Sequence, residues 1–312
     1  MAEANKIYDL IIIGSGPAGM TAGIYAARKK LKTLILTRDI GGQAAWSSDI
    51  ENYTGFMMIS GGELTKKFEQ HLEEFKDEVE LRLISSGVKK LAKGAAGFVV
   101  TTGDNQEEQA RAVIIASGRV PRKLGIKGED EFLNRGVTYC AWCDGPIFAG
   151  KDIAIIGGGN SALDAALNVA KIVKQIYIIN IEERLAGDQV MIDKVRQAQN
   201  VRVINLAEVK EIKGDKFVSS IKIVDHSSGL DKDLAVEGVF IEAGSLPATD
   251  YLGDIIKLTG DKEIAIDKNN ATSMEGIFAA GDATDIIEKQ IVIAAGEGAK
   301  AAIQAAKWLA KK

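Results

Sequence analysis

The chain is poor in the residues that most directly announce chemistry. Its 312 residues include two cysteines, two histidines and four prolines. The histidines, His71 in "FEQHLEEF" and His226 in "DHSSG", are far apart and read as surface residues. With no second CxxC, they and one cysteine pair do not assemble the four ligands of a structural zinc site. A chain of this length buries enough apolar surface to need no disulfide staple. Charge of one sign is also lacking: 39 basic residues against 43 acidic ones give a net charge of -4. That excludes a basic nucleic-acid face or a polybasic membrane surface. No apolar run approaches the roughly 18 residues that cross a bilayer. The opening "MAEANKIYDLIIIGSG" has none of the basic start, apolar stretch and cleavage site of a secretory leader. The expected location is the cytoplasm, where the redox poise disfavours static disulfides and a lone CxxC reads as catalytic.

What is present is glycine at strand ends. "YDLIIIGSGPAGMTAGIYAARK" and "KDIAIIGGGNSALDAALNVAKI" each run from a buried apolar strand through a glycine turn into an Ala-rich helix. A third strand and turn, "GIFAAGDATD", precedes a C-terminal helix of small and apolar residues whose lysines gather where they complement the helix dipole. "ASGRVP" and "EAGSLP" each join an apolar strand to a Gly and a Pro, and read as the two linkers of an insert. The expected architecture is therefore α/β, with two Rossmann-like, three-layer dinucleotide-binding domains, the second inserted in the first. The outer domain takes 1–117 and 246–312, the insert 118–245. The stretch "KKFEQHLEEFKDEVE" reads as a solvated amphipathic helix.

Gly14, Gly16 and Gly19 form GxGxxG, a spacing that gives a tight turn, a close backbone approach to a pyrophosphate, and tight helix packing. The helix N-terminus behind it offers free N–H groups. The next strand, "LILTRD", lacks the usual ribose-binding acid, leaving Thr37 as the nearest candidate. The second turn, "GGGNSA", places Gly157, Gly159 and Ala162 in GxGxxA, with Asn160 and Ser161 opening the helix. It should hold a second dinucleotide. Asn180 stands where an acid would select NADH, and can hydrogen-bond a ribose hydroxyl. Glu182 and Glu183 would repel a 2'-phosphate, and Arg184 alone compensates little, so the sequence leans towards NADH over NADPH.

Both cysteines lie in "CAWCDGP". In such a pair one thiolate attacks a partner disulfide and the second thiol resolves the mixed disulfide. Asp144, adjacent to Cys143, can carry the proton that a departing thiolate needs, or can simply cap the turn before "GP". Trp142 between the cysteines reads first as packing, with stacking on a flavin or contact with a partner as alternatives. Trp46 and Trp308 read as core or interface.

In order and spacing, "GSGPAG", "GGQ", "ENYTG", "CAWCDG", "GGGNSA" and "AAGDATD" resemble the low-molecular-weight thioredoxin reductases. "GVTYCAWCDGPIFAGK" and "GDQV" are similar to the reductase portion of the alkyl hydroperoxide reductase flavoprotein. The resemblance covers essentially the whole chain. It implies FAD held by the outer domain, a nicotinamide donor on the insert, and an insert that rotates on its linkers in a homodimeric protein. It assigns Gly14, Ser15, Gly16, Pro17 and Ala18 to the FAD pyrophosphate turn. Gly42, Gln43 and Asn52 lie along the cofactor, and Gly281, Asp282, Lys289, Gln290 and Ile291 at its ribitol and ring end. Cys143 would face the flavin, Cys140 would attack the partner, and Asp144 would be the acid-base residue.

Two departures bear on function. The basic cluster by which typical thioredoxin reductases recognise NADPH is replaced by "NIEERLA". The FAD motif begins at Gly14, leaving no counterpart of the hydroperoxide reductase's N-terminal thioredoxin-like domain, so a peroxiredoxin system would be reached through a separate carrier. The expected activity is a flavin disulfide reductase that passes electrons from NADH, or NADPH, to a thioredoxin- or glutaredoxin-like protein. The alternatives are the same chemistry driven by ferredoxin or reduced deazaflavin, and a flavin redox sensor that does not turn over. A ferredoxin-NADP reductase of the same fold would lack the CxxC.

Overall fold

The computed structural model describes residues 6–47 and 49–312, so the leader reading of residues 1–5 lies outside the described residues. The chain forms two compact units, one made of residues 1–120 and 247–312, the other of 121–246.

In the first unit, strand β1 (Ile7–Ile13) leads to helix α1 (Pro17–Ala27) and strand β2 (Thr33–Thr37). Helix α2 (Gly61–Glu73) and strand β3 (Val79–Leu83) follow. Strands β4 (Val88–Gly94), β5 (Gly97–Thr102) and β6 (Glu107–Ile115) complete this part. The sheet order is β3-β2-β1-β6-β5-β4. Leu10, Ile11 and Ile12 of β1 are fully buried, as a parallel strand covered on both faces requires. Each such side chain stabilises the fold by about 2 kcal/mol. α2 is shorter than the sequence suggests. It starts in a capping box between Ser60 and Glu63, but Val79 and Glu80 pair with β2 instead of continuing the helix. The β-branched Val79 is buried in the sheet, and Glu80 accepts a hydrogen bond from the Tyr8 hydroxyl at 2.7 Å.

The chain leaves this unit along β7 (Arg119–Pro121). The second unit contains β8 (Val137–Thr138), the short helix α3 (Ala141–Asp144), β9 (Asp152–Ile156), α4 (Asn160–Val169) and β10 (Gln175–Ile179). It continues through α5 (Gln189–Gln197), β11 (Val201–Ile204), β12 (Ala207–Gly214), β13 (Val218–Asp225), β14 (Leu230–Ala235) and β15 (Gly238–Ile241). A parallel sheet of order β11-β10-β9-β15-β8 has one apolar cluster on its α4 and α5 side. A second cluster lies between the sheet and the antiparallel β12-β13-β14 layer. This is a three-layer arrangement.

Strand β16 (Ser245–Pro247) carries the chain back, pairing with β7 as a two-stranded ribbon. In the first unit, β17 (Ile277–Ala279) then pairs with the second half of β6, beside the half that pairs with β5. Helix α6 (Ile291–Leu309) packs along α1. Among the described residues, no helix is long and apolar enough to cross a membrane.

Candidate active site

The first glycine turn is built by backbone geometry. Gly14 has φ +103°, and a Cβ there would lie 2.2 Å from the Ala116 carbonyl oxygen, so no other residue fits without displacing β6's end. Behind it, the Ser15 hydroxyl donates to Asp39 O at 2.7 Å, and the Ser15 N–H donates to Thr37 Oγ1 at 3.2 Å. Thr37 in turn donates to Asp39 O at 2.7 Å. Both hydroxyls are thus buried and committed to the end of β2. Thr37, expected to meet a ribose, instead locks the turn in place.

α1 begins at Gly16 with no side-chain cap, Pro17 in the first turn and no acid there, leaving its first N–H groups open to an anion. Other sequence-predicted residues of this unit converge on that end. A Cβ on Gly42 would lie 3.4 Å from Gly16 Cα, and one on Gly281 would lie 3.0 Å from Ala18 Cβ. Asn52 Nδ2 donates to Gln290 Oε1 at 3.1 Å, just before α6 starts at Ile291, again uncapped. Gln43 Nε2 donates to Arg119 O at 2.8 Å. Arg119 and Lys289 share the Glu263 carboxylate at 2.9 and 3.1 Å. Beside them, burial pushes the Asp282 carboxyl up, against the opposing pull of Lys289 and Arg119. It makes no side-chain hydrogen bond among the described residues. Open helix N-termini, an unpaired carboxylate and a glycine cradle fit a pyrophosphate followed by a polyhydroxylated chain, as in FAD.

The second turn repeats the plan. Gly157 has φ +137°, with the Glu242 carbonyl oxygen 2.2 Å from where a Cβ would stand. α4 starts uncapped at Gly159 with no acid in its first turn. Asn160 Oδ1 accepts the Asp188 N–H at 2.7 Å, Ala186 N–H donates to Gly158 O at 2.8 Å, and Ser161 is exposed. Asn180 departs from expectation. It is 3% exposed, and its Nδ2 donates to Glu182 O, Arg184 O and Asn205 Oδ1 at 2.9–3.1 Å. Its amide holds the loop that carries Glu182 and Glu183, with its oxygen packed against Gly158, and does not project toward a ribose.

The cysteines occur as a disulfide with Cα atoms 5.3 Å apart. The tight turn of α3 brings Cys143 N–H to Cys140 Sγ at 3.1 Å. Cys143 is exposed and Cys140 half-buried. Trp142, read first as packing, is 45% exposed, because the turn directs Ala141 inward in its place. Trp308 does pack on the core and donates to Glu275 at 2.9 Å. His71 is exposed, and His226 pairs with Glu208 at 3.3 Å. The Thr138 hydroxyl donates to Asp144 Oδ2 and accepts the Cys140 N–H at 3.1 Å.

Sequence reasoning missed three residues here: Thr138, Glu129 and Glu242. Glu129 is buried, takes N–H donors from Leu124, Gly125 and Ile126, and accepts the Tyr139 hydroxyl at 2.5 Å. The Glu242 carboxyl is pushed up to about 8, by burial first and by Asp164 second. The only sequence signal for it is an acid at the end of an otherwise apolar strand, in "VFIEAG".

Two dinucleotide-type turns and a redox-capable cysteine pair define a nucleotide-dependent disulfide reductase as the class. Residues 8–305 match the model of the pyridine nucleotide-disulphide oxidoreductases, and the chain belongs to that family. It is 38% identical over 303 residues to the F subunit of alkyl hydroperoxide reductase from Staphylococcus aureus, an overlap that covers 97% of this chain and 59% of that protein. The chain thus spans about three fifths of the length of the curated relatives it matches. A thioredoxin reductase of Lactococcus lactis superposes with TM-score 0.92 at 36% identity, covering 98% of this chain and 100% of its own. For that of T. acidophilum the values are 0.90, 36%, 96% and 98%. The resemblance drawn from the motifs holds for both groups, as does the α/β architecture of two dinucleotide-binding domains.

Proposed function

We propose that this chain is an FAD-dependent thiol-disulfide oxidoreductase. It moves electrons from a nicotinamide donor, NADH before NADPH, through FAD and the Cys140/Cys143 pair to a thioredoxin- or glutaredoxin-like protein. The observation that carries this reading is the Cys140–Cys143 disulfide with Asp144 beside it, on a unit that also presents an open dinucleotide turn. The unit of residues 1–120 and 247–312 would hold FAD, through the α1 N-terminus, Gly42, Asn52, Asp282 and Gln290. The unit of residues 121–246 would hold the nicotinamide dinucleotide at Gly157 and Gly159. When bound, FAD relays the electron pair of the nicotinamide hydride to the disulfide.

The chain's own residues do the rest. Two electrons break the S–S bond, and two protons complete the dithiol. The Cys143 N–H donates to Cys140 Sγ, which favours the thiolate on that sulfur and makes it the attacking one. Cys140 displaces one partner sulfur and forms a mixed disulfide. Cys143 then attacks Cys140 Sγ, re-forming the S–S bond and releasing the second partner sulfur, to which Asp144 passes a proton. A dithiol on the partner and a disulfide on this chain balance the exchange.

NADH is preferred because the tethered loop at the second turn carries Glu182 and Glu183, both exposed, against a single Arg184. A peroxiredoxin system served through a separate carrier, and a homodimer, are consistent with the relatives. Anaerobic titration of the FAD-loaded protein with NADH and then NADPH, followed by flavin bleaching, tests the donor. Bleaching by NADH at lower concentration is expected. Fast bleaching by NADPH alone overturns the preference, and bleaching by neither directs the search to ferredoxin or a deazaflavin.

A further inference from the structure

We propose that Thr138 is a positioning residue for the thiol-disulfide exchange: one hydroxyl fixes the Asp144 carboxylate and the backbone of Cys140 together. This rests on the reading of Asp144 as the proton carrier. Thr138 ends β8, the edge strand of the parallel sheet, where it pairs with Phe240 of β15 and is 4% exposed. A hydroxyl has one proton to give and lone pairs to accept with. The Cys140 N–H at 3.1 Å can only donate, so it takes a lone pair of Thr138 Oγ1. The hydroxyl proton then has two acceptors, Asp144 Oδ2 and, at 3.5 Å, Cys140 O. The carboxylate is nearer and charged, and it wins. Cys140 and Asp144 are thereby joined through a single atom of the rigid sheet, four residues apart in a turn that otherwise has little to hold it.

The charged and titratable groups around this point are few. The turn of α3 packs on α4, whose one charged residue is Asp164, beside Glu242, and on residues 145–148, which carry none. β8 and its neighbour β15 carry none, and the Tyr139–Glu129 pair is engaged with the 124–126 backbone. The remaining titratable groups are the thiols themselves.

The test is the oxidation of stoichiometrically reduced holoenzyme by 2-hydroxyethyl disulfide across pH, quenched by alkylation, in wild type, Asp144→Asn, Thr138→Val and Thr138→Ser. Asp144→Asn should remove one limb of the pH profile. Thr138→Val should slow the reaction about tenfold and move that limb to higher pH, because the carboxylate loses a donor to its charged form. Thr138→Ser should restore both. The loss in Thr138→Val should shrink with DTNB, whose aromatic thiolate departs without needing a proton. A purely structural role for Thr138 would slow both disulfides alike at every pH and leave the limb in place, which overturns the proposal. So would a serine variant behaving like valine. If Asp144→Asn leaves the profile unchanged, the acid-base reading of Asp144 fails, and the proposal with it. Should Thr138→Val not fold, Thr138→Ala carries the same expectation.

Discussion

Glu242 offers a quantitative check on the second dinucleotide turn. Its carboxyl is held at about 8, against an ordinary 4.5, by burial and by the nearby Asp164. The sign follows from proton counting. Between those two values the unfolded chain has lost the proton and the folded chain keeps it, so stability falls as pH rises, and the loss is complete above about 8. Full conversion of the shift would give about 5 kcal/mol. Partial access to solvent screens the site, and about 2 kcal/mol is the more physical figure. Glu242→Gln keeps the shape and removes the charge, so it should flatten this decline and stabilise the protein at pH 8.5 by about that amount. For a unit of this size the change corresponds to a rise in Tm of about 4–8 °C. Thermal melts of wild type and Glu242→Gln, recorded from pH 5 to pH 9, should converge at the acid end and separate above neutrality. Parallel curves across the range would refute the assignment of a buried, protonated carboxyl at this turn.

Cys143→Ser should abolish disulfide reduction and trap a mixed disulfide through Cys140, visible as a mass adduct with a thioredoxin on a non-reducing gel. An adduct with Cys140→Ser instead would reverse the roles of the two sulfurs. Asn180→Ala should cost about 2 kcal/mol, through the unpaired Glu182 and Arg184 carbonyls, and raise the KM for nicotinamide more than it lowers kcat. Asn180→Asp should also weaken NADH binding, since its new charge would face those carbonyls. Tighter NADH binding in Asn180→Asp, measured by titration, would return Asn180 to a ribose-reading role.

The fold is legible in the sequence because its signals are local. Apolar β1 and β9 followed by Gly14 and Gly157 specify strand, turn and helix within about twenty residues. At both glycines the structure gives the reason, a carbonyl oxygen 2.2 Å from where a side chain would start. The misreadings share the opposite cause. The end of the predicted second helix is claimed by β2, a partner some 46 residues away, with Val79 opposite Thr33. Thr37 reads as a ligand group because it stands at the right strand end, but its hydroxyl is committed to Asp39 O and Ser15, a choice set by how a distant turn folds back on β2.

The donor site shows the same limit and refines the question that the sequence poses. A residue at the end of the second unit's β10 is the natural place to look for selection between NADH and NADPH. Asn180 does stand there, yet it turns inward and ties down the loop it precedes. Selection therefore passes from the strand end to the side chains that the tethered loop presents, Glu182, Glu183 and Arg184, all exposed. Asn180 acts on that choice by fixing the loop's backbone. Reversing donor preference should accordingly require charge reversal at Glu182 and Glu183 with Asn180 left intact, because a loop freed from its anchor would present its new positive charges in no fixed place to a 2'-phosphate.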